Sequence, residues 1–399
     1  MPTASAESYC GAKMVKALID LGINISVIYS DQFHVEKNKR YDSSKIWESV
    51  TDVAVDVSKP RSRNLFTLML MAIRYRTKGH TRLTGDIVKL TKALHRDHSF
   101  DIVYSRSTPM IAHAIAYWCA KAINAVWVAN INDPWALHFR PDVQFSVTSI
   151  YKLVSKYWLK RTLRTADLVT YPSKRLYDFH VRLSRVNHET EIIPHIGYYG
   201  INEKHQTDGF NLVHAGKLGI NNIEYRSSKG FLTGLAKFLM ANPGARKMTR
   251  LTLVGPEDKE IQSLAEQLNL KDVIRSVGWV SYEQSLQYIN SASVCILVEK
   301  KMDEGVFFPS KLVDYIVARK PVLALSPSVG VIDDMMPTQG LVRVDTDDHD
   351  AVAKTLGDFY KHFKDGSLDA VSPTEEFVSQ FDPQTVAQKF LDAVNKICR

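Results

Sequence analysis

The densest concentration of chemistry in this sequence is Asp303-Glu304-Gly305-Val306-Phe307-Phe308-Pro309-Ser310-Lys311-Leu312-Val313-Asp314-Tyr315, followed shortly by Lys320-Pro321-Val322-Leu323-Ala324. It joins an acidic loop with a glycine, a Pro-Ser pair of the kind that starts helices, a carboxylate on the first helical turns and an apolar strand. Ser310 is placed to cap the helix by accepting a backbone N–H, and the free amides and dipole at such an end attract a diphosphate. Asp314, four residues after that cap, lies over the same helix end and can accept hydrogen bonds from ribose hydroxyls. The pattern is that of a nucleotide-sugar site. The same residues also make an ordinary capped crossover helix with a surface carboxylate, and the segment alone does not choose between the two.

The elements that would hold this segment alternate. Short apolar runs predict strands at 211–215, 251–254, 274–277, 294–298, 322–325 and 341–344, with helices at 229–240, 257–268, 282–290, 311–317 and 329–335. Such alternation is the mark of a doubly wound α/β parallel sheet, and continuous apolar strands suit a sheet covered on both faces. The first half follows the same plan more loosely, with strands at 25–29, 53–57, 102–105, 126–131, 168–171 and 191–193 and helices at 9–21, 110–123 and 150–165. Two domains are expected, 1–198 and 199–372, joined through a Gly-bearing linker at 194–204. Residues 373–399 end in a helix at 385–397 that returns to the first domain. Residues 2–11 look like a loop feeding a helix, which normally follows a strand, so the first strand of the first domain is expected to be missing.

Composition bounds the class. The 399 residues are 45% hydrophobic and 24% charged, as in a soluble globular chain with room for two domains. No apolar run reaches the roughly 20 residues that span a bilayer, and no signal-peptide pattern precedes the first charges. A cytoplasmic protein is expected. Cys10, Cys119, Cys295 and Cys398 are scattered, with no Cys-x-x-Cys pair, and read as reduced and structural.

The net charge of +8 is uneven: residues 1–195 hold 28 basic against 17 acidic side chains, the remainder 23 against 26. Two basic segments stand out. Residues 59–96 carry ten Lys or Arg and a single acid, Asp86, around an apolar stretch at 65–71. In residues 151–164, Lys152, Lys156, Lys160, Arg161 and Arg164 interleave with Tyr151, Tyr157 and Trp158. Such segments suit the headgroup layer of an anionic membrane, where each cation adds about 1 kcal/mol. They equally describe solvated helices with a core-facing apolar side. Nucleic acid is a weaker fit, since nothing here resembles a nucleic-acid module.

Taken together, the motifs resemble the retaining glycosyltransferases of family 4, in particular the Asp-Pro-Trp type of bacterial surface-polysaccharide transferases. The resemblance rests in the first half on Asp101-Ile102-Val103-Tyr104-Ser105, Asn130-Ile131-Asn132-Asp133-Pro134-Trp135, Thr165-Ala166-Asp167-Leu168-Val169-Thr170-Tyr171-Pro172-Ser173 and Ile192-Ile193-Pro194-His195. In the second half it rests on His214-Ala215-Gly216-Lys217-Leu218-Gly219, Leu251-Thr252-Leu253-Val254-Gly255 and Val277-Gly278-Trp279-Val280. It implies the GT-B fold: two Rossmann-like domains facing across a cleft, with the C-terminal helix crossing back.

The resemblance also implies roles. Lys217 stands where the family has an arginine, and Arg226 or Lys229 would be the second cation on the donor diphosphate, as leaving-group stabilisation requires. Gly216, Gly255 and Gly278 would end the donor strands, with Trp279 at the base-contacting edge. Asp314 stands for the second glutamate of the Glu-x7-Glu motif. The first would fall at Val306, so either the loop carries Glu304 into place or the amides of Gly305, Val306, Phe307 and Phe308 take the sugar, beside Ser310 and Lys311. Asn132 and Asp133 stand where the family often places a His or an acid, and Asp133 would orient a hydroxyl or merely close a turn before Pro134.

The function implied is transfer of a sugar from a UDP- or GDP-sugar to a lipid-linked or glycan acceptor in cell-surface polysaccharide or lipopolysaccharide synthesis, at the inner face of the plasma membrane. The departing phosphate oxygen can take the acceptor proton, so no dedicated base is demanded. Asp345-Thr346-Asp347-Asp348-His349-Asp350 invites a metal, but its place between a strand and a helix argues for an acidic helix start. No metal or other cofactor is expected. The competing readings are a GT-B-shaped sugar-nucleotide epimerase and a non-catalytic relative.

Overall fold

The computed structural model describes residues 6–30, 52–55, 82–107, 110–135, 147–197, 209–218 and 228–398. These fall into two compact units, one running to Pro194 and including the chain from Val386 onward, the other His195–Thr385.

In the first unit, β3 (Ile102–Arg106), β4 (Val126–Asn130), β5 (Leu168–Tyr171) and β6 (Thr190–Ile192) form a parallel sheet in that order, while β1 (Val27–Ser30) pairs in parallel with β2 (Asp52–Val55). The helices are α1 (Ala6–Asp20), α2 (Arg82–His98), α3 (Ile111–Ile123), α4 (Val147–Thr165) and α5 (Lys174–Ser184). Cys10, Met14, Ala17 and Leu18 make the buried stripe of α1, spaced as one helical face requires. The core gathers Trp127, Ile131, Leu159, Leu163, Tyr171 and Leu176, all buried. The α2 and α5 helices were not expected from the sequence, because each is polar on all but one narrow stripe.

The chain's last helix, α13 (Pro383–Ile397), buries Val386, Ala387, Phe390, Ala393 and Val394. Phe390 packs on the Tyr104 ring at 5.0 Å and Lys389 pairs with Glu191 at 3.4 Å, both within the first unit.

The basic aromatic segment on α4 divides differently from the membrane-facing expectation. Trp158 is buried, and the Arg161 guanidinium lies 4.4 Å from the Tyr117 ring centroid while donating to the hydroxyls of Tyr117 and Tyr157. Stacking on aromatic faces makes this arginine part of the packing rather than a surface cation. Lys156 and Arg164 remain exposed. Residues 59–81 of the other basic segment lie outside the described residues.

The second unit is built on one six-stranded parallel sheet: β7 (Phe210–Ala215), β8 (Thr249–Val254), β9 (Ile274–Gly278), β10 (Val294–Val298), β11 (Val322–Leu325) and β12 (Leu341–Val344), in the order β12-β11-β10-β7-β8-β9. Its helices are α6 (Lys229–Ala241), α7 (Lys259–Gln267), α8 (Tyr282–Asn290), α9 (Ser310–Val317), α10 (Val331–Asp334), α11 (His349–Lys364) and α12 (Glu375–Ser379). The α10 helix is shorter than the 329–335 expected from its pattern. Every residue of β10 and β11 is buried, which explains their unbroken apolar sequence. In this order the chain reverses direction between β7 and β10, and the carboxyl ends of those strands are where open α/β sheets bind ligands.

Three of the four cysteines, Cys10, Cys119 and Cys295, are buried free thiols; Cys398 is exposed, which corrects the structural role expected for it.

Candidate functional site

At the switch point of the second unit the strands end in glycines with left-handed backbones: Gly216 after β7 (φ 114°), Gly255 after β8 (φ 154°) and Gly278 closing β9 (φ 72°). They are stitched together, Gly216 N–H donating to Val254 O at 2.7 Å and Gly255 N–H to Gly278 O at 2.9 Å. A Cβ on Gly255 would stand 2.5 Å from the Gly216 carbonyl oxygen. A Cβ on Gly216 would stand 2.5 Å from Lys311 Nζ. The lysine therefore lays its ammonium on bare backbone at the end of β7.

Two residues one helical turn apart clasp that strand end. Lys311 covers Gly216, and the buried Tyr315 accepts the Ala215 N–H on its hydroxyl at 2.9 Å. Asp314, between them, is buried and accepts the Tyr282 hydroxyl at 2.8 Å on Oδ1. It is not a surface carboxylate.

Helix starts supply the second feature. In this unit α7, α8, α10, α11 and α12 each carry an acid in the first turn, as the dipole favours. The α6 and α9 helices carry none. They begin instead with Lys229 and with Ser310-Lys311, and they follow β7 and β10, the two strands that flank the switch point. Positive side chains on positive helix ends are unfavourable unless an anion lies there.

The start of α9 corrects one expectation. Pro309 is the N-cap, Ser310 is the first helical residue, and no side chain caps the end. Proline's fixed φ, −68° here, suits the position but supplies no acceptor.

The loop before it is anchored. Gly305 N–H donates to Val329 O and Gly305 O accepts the Val331 N–H, both at 2.8 Å. Of the four amides considered for the sugar, that of Gly305 is thus committed to the fold. Val306 is buried, as is Phe308, which stacks on His195 with centroids 5.3 Å apart. Glu304 and Phe307 are half-buried.

Lys217 is exposed just past Gly216, Lys229 is exposed, and Trp279 is half-exposed beyond Gly278. Arg226 lies outside the described residues. One residue was missed altogether: Glu299, buried at the end of β10, accepts the Ser326 hydroxyl at 2.5 Å. The signal was its position as the first charge after an all-apolar strand. The Asp345–Asp350 run makes the expected acidic start, with Asp348 capping α11 and Asp345 paired to Arg343 at 2.7 Å. Among the described residues, no three His, Cys, Asp or Glu side chains cluster as a metal site would require.

The first unit has its own polar cluster at the carboxyl ends of β3 and β4. Asn132 donates its side-chain amide to both Glu7 oxygens, at 2.8 and 2.7 Å, and to Ser107 O at 3.2 Å. Arg106 closes the cluster through Nε to Glu7 at 3.0 Å and Nη1 to the Tyr104 hydroxyl at 2.9 Å. Burial pushes the Glu7 carboxyl up to about 7, against the Arg106 charge and the Asn132 bond that favour its ionised form, with Asp133 adding to the rise. Sequence reasoning found Asn132 and Asp133 but not Glu7 or Arg106, which lie far from them along the chain.

No family model matches the chain, and no curated protein matches it in sequence. Solved structures do. The Anabaena protein HepE, in complex with UDP and glucose, superposes with a TM-score of 0.64 at 14% identity over 98% of this chain and 96% of that one. Sucrose-phosphate synthase from Thermosynechococcus elongatus gives 0.63 at 15% identity over 97% and 92%. This chain has the GT-B fold. A third GT-B structure, the pneumococcal O-GlcNAc transferase GtfA in complex with UDP and GlcNAc, gives 0.53 at 11% identity over 78% of this chain and 60% of that one.

Of the residues expected to form a GT-B donor site, the structure brings Gly216, Gly255, Gly278 and Lys311 together, with Asp314 on the same helix. Gly305, Val306 and Phe307 form an anchored loop before that helix. Asn132 and Asp133 belong to the other unit's cluster.

Proposed function

We propose that the chain is a retaining glycosyltransferase that uses a UDP-sugar. The observation that carries this reading is the Lys311 ammonium lying on Gly216 at the end of β7, at a helix start whose first turn carries no acid. Lys311 and Lys217 meet the diphosphate, the amides at the head of α9 add to them, and Lys229 brings a further cation at the start of α6. Negative charge grows on that diphosphate as the sugar leaves, so cations already in place lower the barrier without reorganising. Asp314, one turn along from Lys311, is the carboxylate that meets the ribose in this reading, steadied by the Tyr282 hydroxyl on Oδ1. UDP is favoured over GDP because HepE and GtfA were solved with UDP.

The acceptor in this reading is a lipid-linked sugar or a glycan on an anionic membrane, approached through the exposed Lys156 and Arg164 of α4. The chemistry proposed needs no metal, since the side chains at the strand ends supply the positive charge.

Incubation with UDP-glucose, UDP-GlcNAc or UDP-galactose and a polyprenyl-phosphate lipid extract tests this. UDP release together with an α-linked glycolipid is the expected result. A product released as free sugar nucleotide with changed configuration would mark an epimerase instead. No consumption of any donor would leave a binding protein.

A further inference from the structure

The cluster at the carboxyl ends of β3 and β4 contains a carboxylate that the donor chemistry does not use. Glu7 sits in the first turn of α1, four-fifths of its side chain covered, between the Arg106 guanidinium and the Asn132 amide. Both hydrogens of that amide are engaged, one side by Glu7 and the other by Ser107 O. An ionised carboxylate only accepts, so it dictates which way the amide faces. The Asn132 backbone is pinned as well, its N–H donating to Ser107 Oγ at 3.3 Å. What remains is Oδ1, which accepts from no described residue; Asn132 is 5% exposed, and unlike Asn130 Oδ1 this oxygen is not wholly enclosed.

From this geometry we infer that Glu7 is a positioning residue that locks Asn132 with its carbonyl oxygen outward, as the acceptor for a hydroxyl of the sugar substrate. The inference rests on the transferase reading for the identity of the ligand, a polyhydroxylated sugar. The edge itself is the side of a parallel sheet on which ligands bind. A wrongly turned amide would present N–H donors instead of an acceptor, so the hydroxyl would have to turn its oxygen rather than its hydrogen toward Asn132, and the bond made in the reacting complex would be lost.

A pH dependence follows. The charged and titratable groups around Glu7 are Arg106 from β3, Asp133 from the segment after β4, and Tyr104 and Cys10, which act on Arg106. With Glu7 half-protonated at about 7, one of its oxygens becomes a donor on the acid side and its hold on the amide's orientation weakens.

The test compares wild type, Glu7→Gln, Asn132→Asp and the double variant, reading UDP release from UDP-glucose. Each single variant should lower kcat by roughly tenfold with little change in KM. The double variant should be faster than either single one, because the amide introduced at position 7 then donates to the carboxylate introduced at position 132, whose second oxygen still accepts, although Ser107 O loses the donor it has in wild type. Wild type should lose activity on the acid side of about 7, and Glu7→Gln should remove that limb. A double variant as slow as the slower single one, with wild-type melting behaviour, overturns the inference.

Should wild type release no UDP, the transferase reading fails by itself, and the Asn132 side-chain amide resonance in selectively labelled protein decides the rest. It should shift with a midpoint near 7 in wild type and not in Glu7→Gln. An amide signal indifferent to pH overturns the positioning role.

Discussion

Lys311 and Gly216 share one volume: the lysine ammonium fills the space that any side chain at position 216 would need, 2.5 Å from where its Cβ would stand. The contact ties the head of α9 to the end of β7, strands and helix that the sheet order brings together at its switch point. A cation lying there, on a helix whose first turn carries no acid, is arranged for an anionic ligand.

Gly216→Ala and Gly255→Ala should therefore behave differently. At 216 the Cβ meets the far end of a flexible lysine, so Lys311 swings away, and UDP affinity should drop by about tenfold, or roughly 1.4 kcal/mol. At 255 the Cβ meets the Gly216 carbonyl, which cannot swing. Both positions carry the strain of a positive φ, and the unyielding carbonyl makes Gly255→Ala the costlier, on the order of 2 kcal/mol of stability. Urea unfolding beside UDP titration separates the two effects. Equal behaviour in both assays would mean that Lys311 is not the group displaced.

Asp314 should be read through its ribose contact. Asp314→Asn should weaken UDP binding by about tenfold and leave inorganic pyrophosphate binding unchanged, because pyrophosphate has no ribose. Tyr282→Phe removes the 2.8 Å donor to the buried carboxylate and should destabilise the second unit by about 1–3 kcal/mol. Pyrophosphate affinity that falls with UDP affinity in Asp314→Asn would place the carboxylate with the phosphates.

Stability of the first unit should fall in acid. His113 and His180 are buried and held near 3 by desolvation, against an ordinary 6.5. The unfolded chain therefore binds up to two protons that the folded chain refuses as pH drops below 6.5, and folding loses free energy. Glu7 acts in the opposite sense: raised to about 7 from 4.5, it holds a proton that the unfolded chain has released between those values. Two groups outweigh one, so stability should fall from pH 6.5 to 4.5. Glu7→Gln should steepen the fall, and a shallower slope in that variant would show that Glu7 is already ionised at pH 5.

Exposed cations on α4 should carry any membrane attachment. Lys156→Glu with Arg164→Glu should abolish pelleting with phosphatidylglycerol vesicles at low salt, and high salt should release wild type, since such contacts are screened within about 10 Å at 0.1 M. Arg161→Gln should not imitate them, because that guanidinium is enclosed by Tyr117, Tyr157 and Trp158. Wild type that ignores vesicles would remove the lipid acceptor from the reading.

Much of the fold was legible because the buried strands announce themselves. All of β10 and β11 is apolar, and both strands fall within the residues expected for them. Helix α5 stayed hidden in Lys174–Ser184, where a single buried side of Leu176, His180 and Ser184 offers little apolar period. The glycine strand ends and Lys311 could be read from order along the chain. The Glu7 pairing with Asn132 could not, since 125 residues separate them and only the packing of the start of α1 at the ends of β3 and β4 brings them together. The cap at Ser310 failed for a local reason: one residue decides whether a serine precedes a helix or begins it.

Calorimetric titration of UDP into wild type and Lys311→Ala tests the central claim most directly. The account predicts micromolar-range binding by wild type that weakens by about tenfold or more in Lys311→Ala, with Lys217→Ala between them. Equal affinity in wild type and Lys311→Ala, with both proteins folded, would contradict a diphosphate at the end of β7.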